Sequence, residues 1–166
     1  MIYHLCLGAN MNEPEQQIST AISAIEAEQE ISVLRKSSLI KSAPYGKTDQ
    51  ADFYNQVIEI DSSLIPQLLL EKLLAIETKL GRIRMEKWGE RIIDIDILLA
   101  EDLIYQSDGK SKDDVLHELT IPHPDFHNRE FALRLLTELI PDYIHPIQHK
   151  SISELYDLLI NSGGTQ

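Results

Sequence analysis

The segment Ile92-Ile93-Asp94-Ile95-Asp96-Ile97-Leu98-Leu99 constrains this chain more than any other. It is aliphatic except for its two aspartates, and it reads as a strongly apolar strand over residues 92–99. Residues two apart on a strand share a face. Asp94 and Asp96 therefore stand side by side, with Ile93, Ile95 and Ile97 on the opposite face. Two adjacent carboxylates repel, and burying them without a counter-charge is expensive. Something cationic must sit between them. Two readings satisfy that demand. One is a hard divalent ion such as Mg²⁺, which takes one or two carboxylates and completes its shell with phosphates and water. The other is a set of ion pairs with Arg82, Arg84 or Arg91 that braces the sheet.

Arg82, Arg84, Lys87 and Arg91 precede the carboxylate pair on a loop over residues 81–91. Arginine suits phosphate because its planar fork donates two hydrogen bonds and stays charged. The plain alternative is a solvated basic loop. Trp88 and Gly89 lie in the same loop. A tryptophan among charges is poorly placed for a core, which favours a lid over a flat ligand; the alternative packs Trp88 on the sheet edge.

The rest of the chain supplies a scaffold. Residues 2–8 read as a buried strand ended by glycine, with Cys6 as a small core residue. Asn12 is the expected N-cap of a helix over 13–28, whose stripe is Ile18, Ala21, Ile22 and Ile25. A strand over 31–40 follows, with Ile31, Val33 and Leu39 inward. Residues 53–60 alternate as a strand, and Pro66 opens a second helix that Gly81 ends. Beyond the aspartate strand come a short edge strand at 103–105, a polar excursion at 106–114, a strand at 116–121, and helices at 128–139 and 152–160. The order β-α-β-β-α-β predicts an α+β fold, an α/β sandwich with a ferredoxin-like core. Its sheet is mainly antiparallel, helices pack on one face, and extra strands and C-terminal helices follow. The 166 residues fit one catalytic domain over 1–166.

Charge and composition exclude several classes. The formal net charge of −12 argues against general nucleic-acid binding, which needs a basic surface. No apolar run approaches the roughly 20 residues that span a bilayer, and the first residues do not resemble a signal peptide. One cysteine excludes an internal disulfide framework, so a reducing cytoplasm is the expected location. No P-loop or protein-kinase glycine motif occurs, so any use of ATP needs another architecture.

Two further constellations stand out. In Pro122-His123-Pro124-Asp125-Phe126-His127-Asn128-Arg129-Glu130-Phe131, the prolines hold His123 on a stiff turn, and Arg129 and Phe131 begin a helix. Helix capping by Asn128 with Phe131 in the core is the alternative. Zinc at His123 and His127 lacks a spaced third ligand. In Ser42-Ala43-Pro44-Tyr45-Gly46, followed by Phe53 and Asn55, the mid-strand Asn55 runs against β propensity. If buried, it needs partners: a heterocycle with several donors and acceptors, or the backbone.

Together these residues resemble the 6-hydroxymethyl-7,8-dihydropterin pyrophosphokinase (HPPK) family. The likeness rests on 88–98 as the signature, on Gly8-Ala9-Asn10, on Ala43-Pro44-Tyr45-Gly46 with Phe53 and Asn55, on 81–84, and on Pro122-His123 with Asn128-Arg129 and Phe131. It covers about residues 2–160. The resemblance implies a transferase that moves pyrophosphate from ATP to the pterin hydroxymethyl group for folate synthesis, releasing AMP. Asp94 and Asp96 would bind two Mg²⁺ ions. Arg82 and Arg91 would engage the triphosphate, with Arg84 assisting, and Asp96 is the candidate general base. Glu77, Thr120, His123 and Arg129 would serve ATP. Ser42, Ala43, Tyr45, Phe53 and Asn55 would line the pterin pocket, with Trp88 and Phe131 sandwiching the ring. The expected partners are these small molecules, with no nucleic acid and no membrane, and the protein is expected to be a monomer. The chain departs from relatives at Leu74, at Pro124, at Phe53, where a tyrosine is frequent, and at Met85. These positions bear on adenine binding and loop closure.

Overall fold

The structure, a computed structural model, describes residues 1–43, 51–81, 93–107 and 118–162. Four long strands form the frame: β1 (Ile2–Ala9), β2 (Ile31–Lys36), β4 (Phe53–Ser62) and β5 (Asp94–Ala100), with the short β3 (Ile40–Ser42) also paired to β4. The order is β2-β4-β1-β5, antiparallel throughout. Two helices, α1 (Pro14–Glu26) and α2 (Pro66–Lys79), connect β1 to β2 and β4 to β5. This is the expected βαββαβ core. A two-stranded ribbon, β6 (Tyr105–Gln106) with β7 (Thr120–Ile121), follows, and then α3 (Glu130–Leu139) and α4 (Ile152–Asn161).

Alternation along the strands divides the interior in two. Tyr3, Leu5, Leu7, Ile58, Ile60, Ile95 and Ile97 face α1 and α2, where Ile18, Ile25, Leu69 and Leu73 meet them. Cys6, Val57, Leu98 and Leu99 face the other way and pack with Phe126, Leu133, Leu136 and Ile152. The expectation of helices on one face alone is corrected: α3 and α4 cover part of the second face. Burying one such large side chain contributes roughly 1.5–3 kcal/mol.

Other expectations also shift. The N-cap of α1 is Glu13, in left-handed backbone at φ 58°, and not Asn12, itself at φ 53°. The strand over 31–40 breaks into β2 and β3, because Ser37 turns away: its N–H donates to Val57 O and its Oγ accepts from Val57 N–H. Leu39 lies in that break and is exposed. The 128–139 helix starts later. A 3-10 turn, Phe126–Asn128, precedes α3, and Asn128 does not cap it.

Two register shifts shape the second face. Val33 pairs with Ile60 but Arg35 with Glu59, so Leu34 is the extra residue of a bulge. The bulge moves Arg35 off the apolar face and onto Glu59, which it grips through Nε and Nη2 at 3.0 and 2.7 Å. His4 Nε2 meets the same carboxylate at 2.8 Å. The second shift, between His4 and Leu5, leaves Leu98 extra on β5.

The C-terminal segment carries a pH-sensitive element. His145 is buried, and its Nδ1 accepts from the N–H groups of Ile147 and Gln148. Burial, then the neighbouring imidazoles of His127 and His149, push it from the ordinary 6.5 down to about 4. A depressed histidine value means the unfolded chain binds the proton first, so stability falls as pH drops from 6.5 toward 4. The variant His145→Asn, whose carbonyl can replace Nδ1 as acceptor, should lose less stability over that window than the parent. Urea midpoints measured across the pH range check this.

Candidate functional site

The strand register brings the site together. Gly8 of β1 lies between Asn55 of β4 and Asp94 of β5, and Cys6 lies between Val57 and Asp96. Directly paired residues share a face. Asn55, Gly8 and Asp94 therefore form one row across the sheet, and Val57, Cys6 and Asp96 the next. Asp94 and Asp96 are half-buried, whereas Ile93, Ile95 and Ile97 are buried behind them. The expected division of faces on this strand holds.

Gly8 is shaped by its neighbour. A Cβ built there would stand 2.9 Å from Asn55 Oδ1, closer than real contacts allow. The Asn55 side chain is buried, and its Nδ2 donates to Ser42 Oγ at 2.8 Å. Asn55 thus has a side-chain partner as well as the row it shares with Asp94. Phe53 pairs with Ser42 at the start of β4, so Ser42, Phe53 and Asn55 cluster at one end of the sheet, with Ala43 next in the chain. Asn10 is buried and donates to Ala51 O at 3.2 Å, tying the end of β1 to the approach to β4.

On the β5 side, His123 N–H donates to Leu98 O at 2.8 Å, which fixes the 122–129 segment beside the aspartate strand. The preceding Ile121–Pro122 peptide is cis. Burial, then Arg129, hold His123 down at about 4 against the opposing pull of Asp125 and Asp94. Its ring is neutral at neutral pH, able to donate a hydrogen bond but not to supply a charge. Arg129 carries the positive charge here, and its influence also reaches Cys6. Burial, then Asp96 and Asp94, raise the Cys6 thiol, so it stays protonated and is no thiolate ligand.

Glu77 of α2 is buried and accepts from Ile95 N–H at 2.6 Å. Ile95 is the residue between the two aspartates, so this bond holds the peptide that spaces them. Sequence reading named Glu77 for the nucleotide and missed this contact, for which a carboxylate on the inner stripe of a helix is the only signal. Thr120 is half-buried on β7, and Phe131 of α3 packs against the second core. Tyr45, Arg82, Arg84, Trp88 and Arg91 lie outside the described residues.

The donor set can be tested against Mg²⁺. Two half-exposed carboxylates on one face fit an ion that takes its other ligands from phosphates and water. Among the described residues, no group of three or more His, Cys, Asp or Glu forms an all-protein metal site. Zinc at His123 and His127 gains no third ligand among them.

A family model described as 7,8-dihydro-6-hydroxymethylpterin-pyrophosphokinase (HPPK) matches residues 4–141. This chain belongs to the HPPK family. Among its relatives is the 2-amino-4-hydroxy-6-hydroxymethyldihydropteridine pyrophosphokinase of Haemophilus influenzae, 40% identical over 86% of this chain and 84% of that protein. Another is the folic acid synthesis protein fol1 of Schizosaccharomyces pombe, 38% identical over 98% of this chain but only 21% of that protein. The crystal structure of wild-type Plasmodium falciparum HPPK-DHPS superposes with a TM-score of 0.77 at 18% identity, over 96% of this chain and 45% of that one. That likeness supports the HPPK fold. The chain spans less than half of such larger proteins. No helix among the described residues is long and apolar enough to cross a membrane.

The glycine row yields a direct check. Gly8→Ala should leave the fold intact, because Gly8 is in strand backbone that alanine adopts, but it should displace the Asn55 amide and break its bond to Ser42. The Asn55 side-chain NH₂ resonances should move while those of Gln67, remote on α2, stay. Unmoved Asn55 resonances would contradict the packing described.

Proposed function

We propose that this chain transfers pyrophosphate from ATP to the hydroxymethyl oxygen of 6-hydroxymethyl-7,8-dihydropterin, releasing AMP, as a step of folate synthesis. The observation that carries the reading is the row Asn55-Gly8-Asp94 in a chain of this family. It sets a heterocycle-binding amide and a metal-type carboxylate on one surface, with only a glycine between them. We take residues 1–166 as one catalytic domain. We take the protein to act as a monomer.

The roles follow from the chemistry of the groups. Asn55 and Ser42, with Ala43, Tyr45 and Phe53, present hydrogen bonds and an apolar wall to the pterin edge. Trp88 and Phe131 supply faces for its flat ring. His123 donates through its neutral ring and Arg129 through its cationic fork to the phosphates. Glu77 serves the nucleotide side by fixing the peptide between Asp94 and Asp96, and Thr120 lies on the same side. Asp94 and Asp96 would hold Mg²⁺, two ions in this reading, which when bound offset the charge of the triphosphate. Arg82 and Arg91, assisted by Arg84, complete that neutralisation.

In the transfer, the hydroxymethyl oxygen bonds to the β-phosphorus as the bond from that phosphorus to the α–β bridging oxygen breaks. The bridging oxygen leaves with AMP. The hydroxyl proton passes to water or to Asp96. Alignment and charge compensation account for most of such a reaction, so a strong base is not demanded.

The test mixes protein, ATP, Mg²⁺ and the pterin alcohol and separates nucleotides by chromatography. AMP should form only when both pterin and metal are present. Asp96→Ala should lower the rate at least about 100-fold with an unchanged circular dichroism spectrum. ADP in place of AMP would overturn the reaction assigned. Undiminished turnover in a folded Asp96→Ala protein would remove the metal role of Asp96.

A further inference from the structure

The segment between β7 and α3 contains a small network centred on Asp125, a residue without a role in the reading above. Its peptide N–H donates to His123 Nδ1 at 3.1 Å. Its Oδ1 accepts from Asn128 Nδ2 at 3.2 Å, and its Oδ2 accepts from Arg129 Nε at 3.3 Å. One residue thus touches both phosphate-side groups, and each contact constrains its partner. A peptide N–H can only donate, so Nδ1 of His123 must keep its lone pair. In the neutral ring the proton then sits on Nε2. A carboxylate on Arg129 Nε fixes the plane of the guanidinium, and with it the directions of both Nη amines.

The anchoring extends to the sheet. His123 N–H is held by Leu98 O on β5, and Arg129 N–H by Phe126 O, whose side chain is wholly buried in the second core. The network is therefore referenced to the strand that carries Asp94 and Asp96. Arg129 is more enclosed than Asp125, with side-chain exposures of 18% and 37%. The bond from Asp125 narrows the rotamers that Arg129 samples, and with them the entropic cost a ligand would meet in ordering it.

We propose that Asp125 is a positioning residue for the nucleotide. Its peptide sets the tautomer of His123 and its carboxylate sets the guanidinium of Arg129, so that both donors are arranged before the triphosphate arrives. This inference rests on the pyrophosphokinase reading for its ligand. It differs from a structural brace in what it affects: a brace affects folding, whereas a positioning residue affects nucleotide affinity and spares the pterin.

The experiment measures, for the parent, Asp125→Asn and Asp125→Ala, the Kd of the Mg²⁺ complex of α,β-methylene ATP. It also measures the Kd of the pterin alcohol, the thermal midpoint, and the KM for ATP against kcat. Asp125→Ala should weaken the nucleotide analogue about tenfold, the loss expected for one charge-assisted hydrogen bond, with pterin affinity unchanged. Asp125→Asn, whose oxygen still accepts from Nε, should fall between. The ¹⁵N shifts of His123 should report Nε2–H in all three proteins, because the peptide N–H survives both substitutions. Nucleotide affinity equal to the parent in a folded Asp125→Ala protein overturns the proposal while the parent's AMP formation leaves the reaction standing. Equal losses of nucleotide and pterin affinity with a lowered midpoint overturn it in favour of a brace. A parent that binds neither nucleotide nor pterin overturns both readings.

Discussion

The pairing of β1 with both β4 and β5 is the constraint on which the site depends. A strand in the middle of a sheet has no freedom of register, because a slip of one residue would turn Leu5 and Leu7 out of the α1–α2 core and turn Cys6 and Gly8 into it. The apolar periodicity of β1 therefore fixes where Gly8 stands relative to Asn55 and Asp94. These three residues come from strands far apart in sequence, yet the burial of leucines on the opposite face sets their alignment. The helices α1 and α2 lie on the opposite face, and the core they close holds the row in line, with Glu77 of α2 bonded to the Ile95 N–H next to Asp94. Gly8 then matters for lacking a side chain, since the Asn55 carbonyl occupies the space that a Cβ would claim.

The bulge at Leu98 marks where the second face changes character. On one side of it lie Asp94 and Asp96, half-exposed; on the other, Leu98 and Leu99 enter the core with Phe126 and Leu133. Leu98 O also receives the His123 N–H, so the same residue that ends the polar stretch anchors the segment bearing His123 and Arg129. The α3–α4 pair seals one end of this face and leaves the aspartate end outside its core. A site for polar ligands needs that asymmetry: rigid backing on one side and room on the other.

Much of this was legible in the sequence, for reasons that can be named. Strict alternation of isoleucine with aspartate can be read as a strand with two faces, so the orientation of Asp94 and Asp96 followed from parity alone. The helical stripes of α1 and α2 and the βαββαβ order followed from periodicity and punctuation. The bulges did not, because an extra residue leaves no signal in composition: Arg35 reads as one more position of an alternating strand until Leu34 is extruded. Nor did the work of Glu77 on Ile95 N–H, since a buried carboxylate is recognised only when its partner is known. Leu39 misled because a serine pair, Ser37-Ser38, can break a strand through side-chain bonds that compete with the ladder. The residues of the likeness that lie on 82–92, Arg82, Arg84, Trp88 and Arg91, fall outside the described residues and remain assigned by sequence alone.

The acidic character of the chain sharpens the case for local arrangement over bulk charge. With a formal net charge of −12, the overall charge of the chain does not favour a triphosphate. Affinity must come from a few donors held close together, where screening by salt is weakest. Burial of His123 removes a positive charge, and a neutral imidazole donor costs less to desolvate than a second cation beside Arg129. Burial likewise keeps the Cys6 thiol protonated beside the two aspartates, so the sulfur adds no negative charge to theirs. Among the described residues, Asp94, Asp96, Asp125 and Arg129 stand on this side of β5, with the Glu77 carboxylate buried behind Ile95. Where the Arg129 guanidinium points is set by Asp125, whose carboxylate accepts from its Nε.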